Sequence, residues 1–178
     1  MGTTCTAIVI QNNILWLAHV GDSRAYLLRD GTLEQLSDDQ TLHAQLIRDG
    51  VMTAEEAEVS PGGNLILQAL GARDEIAPTV PARGWQLRAS DILLLCSDGL
   101  YTLVKDAEIV KVLRGSNPEE ACHALIEKAL AAGGFDNVSV GVFQIVDAAP
   151  ARKPDMASTN RIPIIEVDAE GGASPNAI

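Results

Sequence analysis

Residues 93–103, LLLCSDGLYTL, place a carboxylate directly after an uninterrupted apolar run. Such a run is typical of a β-strand that is covered on both faces. The carboxylate that follows it, Asp98, has two explanations. It starts a turn or a short helix, because Asp is a common turn former and helix cap, or it binds a metal ion at the end of the strand. Taken alone, the turn is the simpler explanation.

Two further acidic motifs lie next to predicted strand ends: Gly-Asp-Ser, which contains Asp22, and Phe-Asp-Asn, which contains Asp136. Carboxylates at the ends of adjacent strands can converge on one point while the sheet holds them in place. Oxygen ligands favour Mg²⁺ or Mn²⁺, and the lack of a His/Cys cluster argues against zinc. Asp22, Asp98 and Asp136 together are therefore candidate metal ligands, although each has a structural explanation alone.

The predicted secondary structure changes character at Asp39. Before it, turn residues separate four short β-rich segments, as in an antiparallel meander. After it, helical spacing, capping residues and glycine stops predict helices. The predicted strands are 4–11, 14–20, 24–29, 32–36, 91–96 and 137–146, and the predicted helices begin near residues 42, 53, 106 and 118.

Composition narrows the class of protein. The chain has 24 acidic and 13 basic residues, a net charge of −11, which argues against a nucleic-acid partner. Three widely spaced cysteines predict neither a disulfide framework nor a zinc site, which favours a reducing compartment. No apolar run reaches membrane-spanning length and no signal peptide is visible, so we expect a cytoplasmic protein without a membrane anchor.

The composition also divides the chain at Asp147. Residues 1–147 have the apolar patterning of one domain. Residues 148–178 are rich in Ala, Pro, Gly and charged residues, which predicts a mostly disordered tail or linker.

A series of short motifs in one order carries a family resemblance. The series resembles the later motifs of the bacterial branch of the metal-dependent type 2C (PPM-type) protein serine/threonine phosphatases, over about residues 1–146. Each motif is weak alone, but five in order are specific. They are MGTT at 1–4, VGDSRAY at 20–26, LS at 36–37, CSDGL at 96–100 and GGFDNVSV at 133–140.

The resemblance implies an α+β fold in which two antiparallel sheets pack face to face between flanking helices. It implies that Asp98 and Asp136 bind two core Mn²⁺ or Mg²⁺ ions and that Asp22 helps to bind a third. Residues 39–70 would form a flap beside the site. The attacking group would be a metal-bound water rather than a side chain, and the substrate a phosphoserine or phosphothreonine protein, such as the product of a serine/threonine kinase.

Departures from the family pattern qualify this resemblance. The family has an earlier segment with a phosphate-binding Arg and an Asp-Gly-x-Gly-Gly motif whose Asp bridges both metals. In this sequence Asp-Gly occurs at Asp30, Asp49 and Asp98, and none continues that pattern. We therefore expect that the N-terminal third of the family domain is missing. A smaller departure is Gln40, where members often have His.

Two functions remain open at this point. One is a protein phosphatase domain that is weakly active or inactive as written. The alternative is a non-catalytic phosphatase-like remnant or interaction module, which the missing motif supports. A cysteine-dependent phosphatase is excluded, because it needs an Arg six residues after the Cys. The residues at that spacing from the three cysteines are Gln11, Thr102 and Lys128.

Overall fold

A computed structural model describes residues 1–62, 65–72 and 75–147 of the chain, and the predicted tail at 148–178 lies outside the described residues. The strands are β1 (Cys5–Gln11), β2 (Ile14–Val20), β3 (Arg24–Arg29), β4 (Thr32–Gln35), β5 (Trp85–Gln86), β6 (Ile92–Cys96) and β7 (Val140–Gln144). The helices are α1 (Leu42–Arg48), α2 (Ala54–Val59), α3 (Asp98–Tyr101), α4 (Asp106–Gly115) and α5 (Pro118–Ala131).

Two tight turns join β1 to β2 and β3 to β4, but β2 and β3 lie in different sheets, so the first four strands form two hairpins and the predicted single meander is wrong. Asn12 and Asn13, between β1 and β2, have φ values of 52° and 60°. Asp30 and Gly31, between β3 and β4, have φ values of 51° and 84°. Positive φ at both central residues matches the right-handed twist of the flanking strands. Both hairpins are therefore confirmed.

The helix ends also follow local chemistry. Asn117 and Glu120 form a reciprocal capping box at the start of α5, with Pro118 in the first turn. Thr53 and Glu56 form the same box at the start of α2. None of the described helices combines the length and the apolar character that a bilayer-spanning helix requires.

The strands form two antiparallel sheets, one in the order β1-β2-β5 and the other in the order β4-β3-β6-β7. In the four-stranded sheet Arg24 pairs with Cys96, and Cys96 pairs with Val140. Arg24 and Val140 begin their strands and Cys96 ends its strand. The segments that carry Asp22 and Asp98 therefore lie at the same end of the strands in this sheet.

Two apolar clusters lie on opposite faces of the four-stranded sheet. One contains Leu15 and Leu17 of β2 with Leu27 and Leu93, and it joins the two sheets face to face. The other contains residues of β3 and β6 with the buried faces of α4 and α5. The predicted α+β arrangement of two packed antiparallel sheets flanked by helices is therefore confirmed.

The opposite face of the three-stranded sheet is partly uncovered. Val9 of β1 and Trp16 of β2 are directly opposite each other and are 63% and 41% exposed. In the sheet order β1 is an edge strand. Among the described residues, this sheet therefore combines a partly exposed apolar face with an edge strand.

A buried ion pair anchors the end of β3 that is far from Arg24. Asp91 is 2% exposed and accepts hydrogen bonds from Arg29 Nε at 2.9 Å, Arg29 Nη2 at 2.6 Å and the Arg88 amide at 2.7 Å. Burial would raise the pKa of Asp91, but the bonds from Arg29 and Arg88 outweigh it and hold the pKa below its usual value.

Asp91→Asn should therefore destabilise the chain by about 2 kcal/mol at pH 7, because the bonds to a charged carboxylate are lost. A lowered pKa stabilises the fold above the unfolded pKa, so the difference should shrink as the pH falls below about 4. Urea unfolding at pH 7 and pH 3.5 measures both quantities. Asp30→Asn, at an exposed carboxylate, is the matched control and should change little. Equal loss at both pH values would contradict the charge-based explanation.

Candidate metal centre

Asp22 lies in the turn between β2 and β3 and is only 4% exposed. Gly21 before it has a φ of +107°, and a Cβ at this position would collide with Thr4. Glycine is therefore required for the turn to pack against the segment that precedes β1. This packing buries a carboxylate in a turn, where carboxylates are usually exposed.

Ser97 joins the start of α3 to the loop before β7. Its Oγ donates to the carbonyl of Asn137 at 3.0 Å and accepts from the amide of Ser139 at 3.0 Å. Its own amide donates to the carbonyl of Ser139 at 3.0 Å. The chain segments that carry Asp98 and Asp136 are therefore held side by side.

The two carboxylates on these segments accept hydrogen bonds locally. Asp98 is the first residue of α3, and its Oδ1 accepts from the amide of Gly99 at 2.9 Å. Asp136 is exposed, and its Oδ1 accepts from the amide of Asn137 at 2.7 Å. Asp98 therefore does not cap α3 from outside the helix, since Ser97 is the N-cap residue.

Electrostatic repulsion connects Asp22 to its acidic neighbours. Burial and then the negative charges of Asp98 and Asp39 raise the pKa of Asp22 to about 6. A buried carboxylate beside other carboxylates is an environment in which a bound cation would lower the free energy. The charge distribution therefore fits a cation near Asp22 and Asp98.

The described residues do not form a complete metal site. Within the part of the chain that the structure describes, no three Asp, Glu, His or Cys side chains converge closely enough to hold an ion. Of the predicted ligands, Asp22 and Asp98 interact electrostatically, and Asp136 is linked to Asp98 through Ser97. Their oxygen donors suit Mg²⁺ or Mn²⁺, but further ligands are needed to complete the coordination.

A half-buried arginine, Arg24, braces the centre. Arg24 donates from Nε to Asp39 Oδ1 at 3.0 Å, from Nη2 to Asp39 Oδ2 at 2.7 Å and from Nη1 to the Tyr26 hydroxyl at 2.9 Å. Its guanidinium stacks on the ring of Tyr101, with 3.6 Å between Cζ and the ring centroid. The positive charge of Arg24 is thus paired with Asp39 and offsets only part of the repulsion at Asp22.

Tyr101 completes the brace. Its hydroxyl donates to the backbone carbonyl of Asp22 at 2.9 Å, so the helix that begins at Asp98 is tied to the Asp22 turn. Burial raises the pKa of Tyr101, which keeps its hydroxyl protonated as a donor.

Four residues that hold the centre together were not predicted as site residues: Arg24, Asp39, Ser97 and Tyr101. Ser97 stands in the Ser-Asp-Gly motif, and that motif was the available signal. Nothing in the local sequence indicates that Tyr101 reaches Arg24 and Asp22, because the contact joins segments that are far apart along the chain.

An open cleft of about 1020 Å³ lies beside the brace. Its walls come from α1 and α2 on one side and from Arg24, Tyr101 and Lys105 on the other. The two helices fall within the predicted flap at 39–70. The cleft is large enough for a stretch of polypeptide, and cavities of this size are typical of ligand sites.

Comparisons with known proteins place these features in context. The profile of the family described as Protein phosphatase 2C matches residues 1–45. The serine/threonine protein phosphatase PstP of Mycobacterium tuberculosis is 48% identical over 147 residues. The match covers 83% of this chain and 28% of PstP.

Solved structures extend the similarity to the fold. The crystal structure of the M. tuberculosis phosphatase PstP/Ppp matches with a TM-score of 0.78 and 46% identity, over 83% of this chain and 61% of that chain. The PstP catalytic domain in complex with two manganese ions matches with a TM-score of 0.73 and 46% identity, over 83% and 60%. This chain thus spans less than a third of the curated relative and about three fifths of the solved chains.

The raised pKa of Asp22 predicts a pH-dependent penalty on folding. Because the pKa is higher in the folded chain than the usual value of about 4, the penalty is absent below about pH 4, grows between about pH 4 and 6, and is fully present above about 6. In metal-free buffer at pH 7.5, Asp22→Asn should therefore stabilise the chain by about 1–2 kcal/mol. At pH 3.5 the two proteins should unfold alike.

Chemical denaturation in the presence of EDTA measures this difference. Asp38→Asn is the matched control, because Asp38 is a nearby exposed carboxylate and should change stability little. A lower stability of Asp22→Asn at pH 7.5 would show that the carboxylate stabilises the fold and would overturn the electrostatic account.

Proposed function

Since this chain belongs to the protein phosphatase 2C family, we propose that it forms the larger part of a metal-dependent phosphatase domain that hydrolyses phosphoserine and phosphothreonine in proteins. The observation that carries the proposal is the meeting of the Asp22 turn with the helix that begins at Asp98, tied by the Tyr101 hydroxyl. The 46% identical PstP domain, which is in complex with two manganese ions, supports the choice of cofactor.

We assign the metal ligands by residue type and placement. Asp98 and Asp136 would hold the two core Mn²⁺ or Mg²⁺ ions, and Asp22 would contribute to a further site. Such ions supply an activated water and screen the charge of the phosphoryl group when they are bound. Ser97 orients the two segments that carry Asp98 and Asp136. The cleft beside α1 and α2 would receive the substrate polypeptide, so we retain the flap assignment for residues 39–70.

The arginine brace has a separate role in this proposal. Because Arg24 is held by Asp39 and stacked on Tyr101, its charge is already used within the protein. It therefore supports the geometry of the centre rather than the binding of the substrate phosphate.

The proposed phosphatase activity also suggests a class of substrate and a cellular compartment. We propose that the substrate is a phosphorylated protein made by a serine/threonine kinase. We also propose that the protein acts in the cytoplasm, where its free cysteines, Cys5, Cys96 and Cys122, would stay reduced. The competing function, a non-catalytic module, is less well supported because the similar proteins are themselves phosphatases.

Full activity should need a carboxylate beyond those of this chain. The Asp-Gly-x-Gly-Gly pattern is absent from the 178 residues, and the described carboxylates do not close a metal site. The purified 178 residues should therefore show little or no Mn²⁺-dependent hydrolysis of a phosphoserine peptide. Release of phosphate, measured against the PstP catalytic domain as a positive control, tests this. Rapid Mn²⁺-dependent hydrolysis would show that the residues of this chain suffice.

Metal binding can be tested apart from catalysis. Asp98→Asn should weaken Mn²⁺ binding to the chain by at least about tenfold, because a carboxylate ligand is lost. Isothermal titration or the effect of Mn²⁺ on water proton relaxation measures the affinity. Asp147→Asn is the matched control, since Asp147 is exposed and lies beyond β7. Equal affinity in the wild type and Asp98→Asn would remove Asp98 from the proposed ligands.

A further inference from the structure

Gln40 stands where this sequence departs from the family pattern, and it is almost completely buried, at 9% exposed. A buried carboxamide is costly unless its polar atoms are paired. Each of the four polar groups of Gln40, two in the backbone and two in the side chain, has a partner among the described residues.

Two of these bonds go to Gly21, the residue before Asp22. The Gly21 amide donates to Gln40 Oε1 at 2.8 Å, and the Gln40 amide donates to the Gly21 carbonyl at 2.8 Å. The same carbonyl lies 2.9 Å from Nε2 of the buried His19. The backbone of the Asp22 turn is therefore held from two sides.

The other three bonds go to a segment that follows α2, residues 65–72 and 75–80, which we call the return segment. Gln40 Nε2 donates to the Thr79 hydroxyl at 3.0 Å and to the Ala77 carbonyl at 3.3 Å. The Gln40 carbonyl accepts from the Leu67 amide at 2.8 Å. One side chain thus contacts the turn with its oxygen and the return segment with its nitrogen.

The orientation of this carboxamide is fixed by its partners. Exchanging Oε1 and Nε2 would set an NH₂ group against the Gly21 amide and an oxygen against the Ala77 carbonyl, so only one orientation forms the bonds. An imidazole, with two ring nitrogens, cannot replace all three side-chain bonds. Glutamine is therefore suited to this position in a way that the more common His is not.

We propose that Gln40 is a positioning residue that fixes the return segment against the turn that carries Asp22. The relevance to catalysis rests on the proposed function, because Asp22 is a candidate ligand there. The fixing itself requires neither metal nor activity, so the two proposals can fail separately. The alternative is that Gln40 is an ordinary buried residue whose loss weakens the whole fold.

Gln40→Glu separates the two sides of this contact. A glutamate oxygen still accepts from the Gly21 amide, but the carboxylate cannot donate to the Ala77 carbonyl and repels it. A bond to Thr79 then forms only if the Thr79 hydroxyl rotates and becomes the donor. The Leu67 amide donates to the backbone carbonyl of Gln40 and the Thr79 amide to the carbonyl of His19, each at 2.8 Å. These bonds open more often once the side-chain bonds of Gln40 no longer hold the return segment, so we expect both amides to exchange with deuterium at least about tenfold faster, while the Gly21 amide stays protected. Residue-resolved hydrogen exchange by NMR on the metal-free chain measures these rates.

Three comparisons make the test decisive. Gln40→Leu should release all three amides, because both sides of the contact are lost. Gln11→Glu, an exposed glutamine in β1, is the matched control for the added charge and should leave them unchanged. Thr79→Val removes one acceptor of Gln40 Nε2 with little change in shape. It should speed exchange of the Thr79 amide even if the Gln40 variants do not fold.

Two results would overturn the proposal. One is unchanged exchange at Leu67 and Thr79 in Gln40→Glu, or at Thr79 in Thr79→Val. The other is an equal acceleration at the β6 amides, such as those of Leu93 and Leu94, because that would mean a general loss of stability. Equal Mn²⁺ affinity in the wild type and Asp98→Asn would count against the proposed function and would leave this proposal intact.

Discussion

The candidate centre depends on the ion pair between Arg24 and Asp39, in which the Arg24 guanidinium also stacks on the ring of Tyr101. These contacts join the start of β3, the segment before α1 and the helix that begins at Asp98. Two parallel hydrogen bonds fix the direction of the pair as well as its distance. A lysine in place of Arg24 would lose both the second hydrogen bond and the planar surface that stacks on Tyr101. Because the pair neutralises itself, the remaining carboxylates keep an excess of negative charge.

Local chemistry predicted much of the fold. The Asn12-Asn13 and Asp30-Gly31 turns, the two capping boxes and the apolar run before Ser97 each act within a few residues. Such signals can be read from the sequence because positive φ favours a few residue types, such as Gly, Asn and Asp. The unpaired amides at the start of a helix are likewise hydrogen-bonded by side chains only a few residues away. The candidate ligands were found for a related reason, since all three follow strand ends or precede strands.

The contacts that assemble the centre were not predictable in the same way. Tyr101 reaches the Asp22 carbonyl and Gln40 reaches Thr79, across separations of 79 and 39 residues. A turn motif such as Gly-Asp-Ser also gives no sign that its carboxylate is buried, as Asp22 is. Burial and repulsion arise from packing, and one sequence carries no record of which distant segments pack together.

Folding and metal binding are coupled in this arrangement. The fold buries Asp22 and brings it close to Asp98, and together these raise its pKa to about 6, so at neutral pH the folded chain bears an electrostatic cost that the unfolded chain avoids. A divalent cation between such groups changes repulsion into attraction, and its binding energy then adds to folding energy. The braces at Arg24 and Gln40 matter for this reason. They hold mutually repelling carboxylates in place before a cation arrives, whereas a looser turn would relieve the repulsion by moving apart.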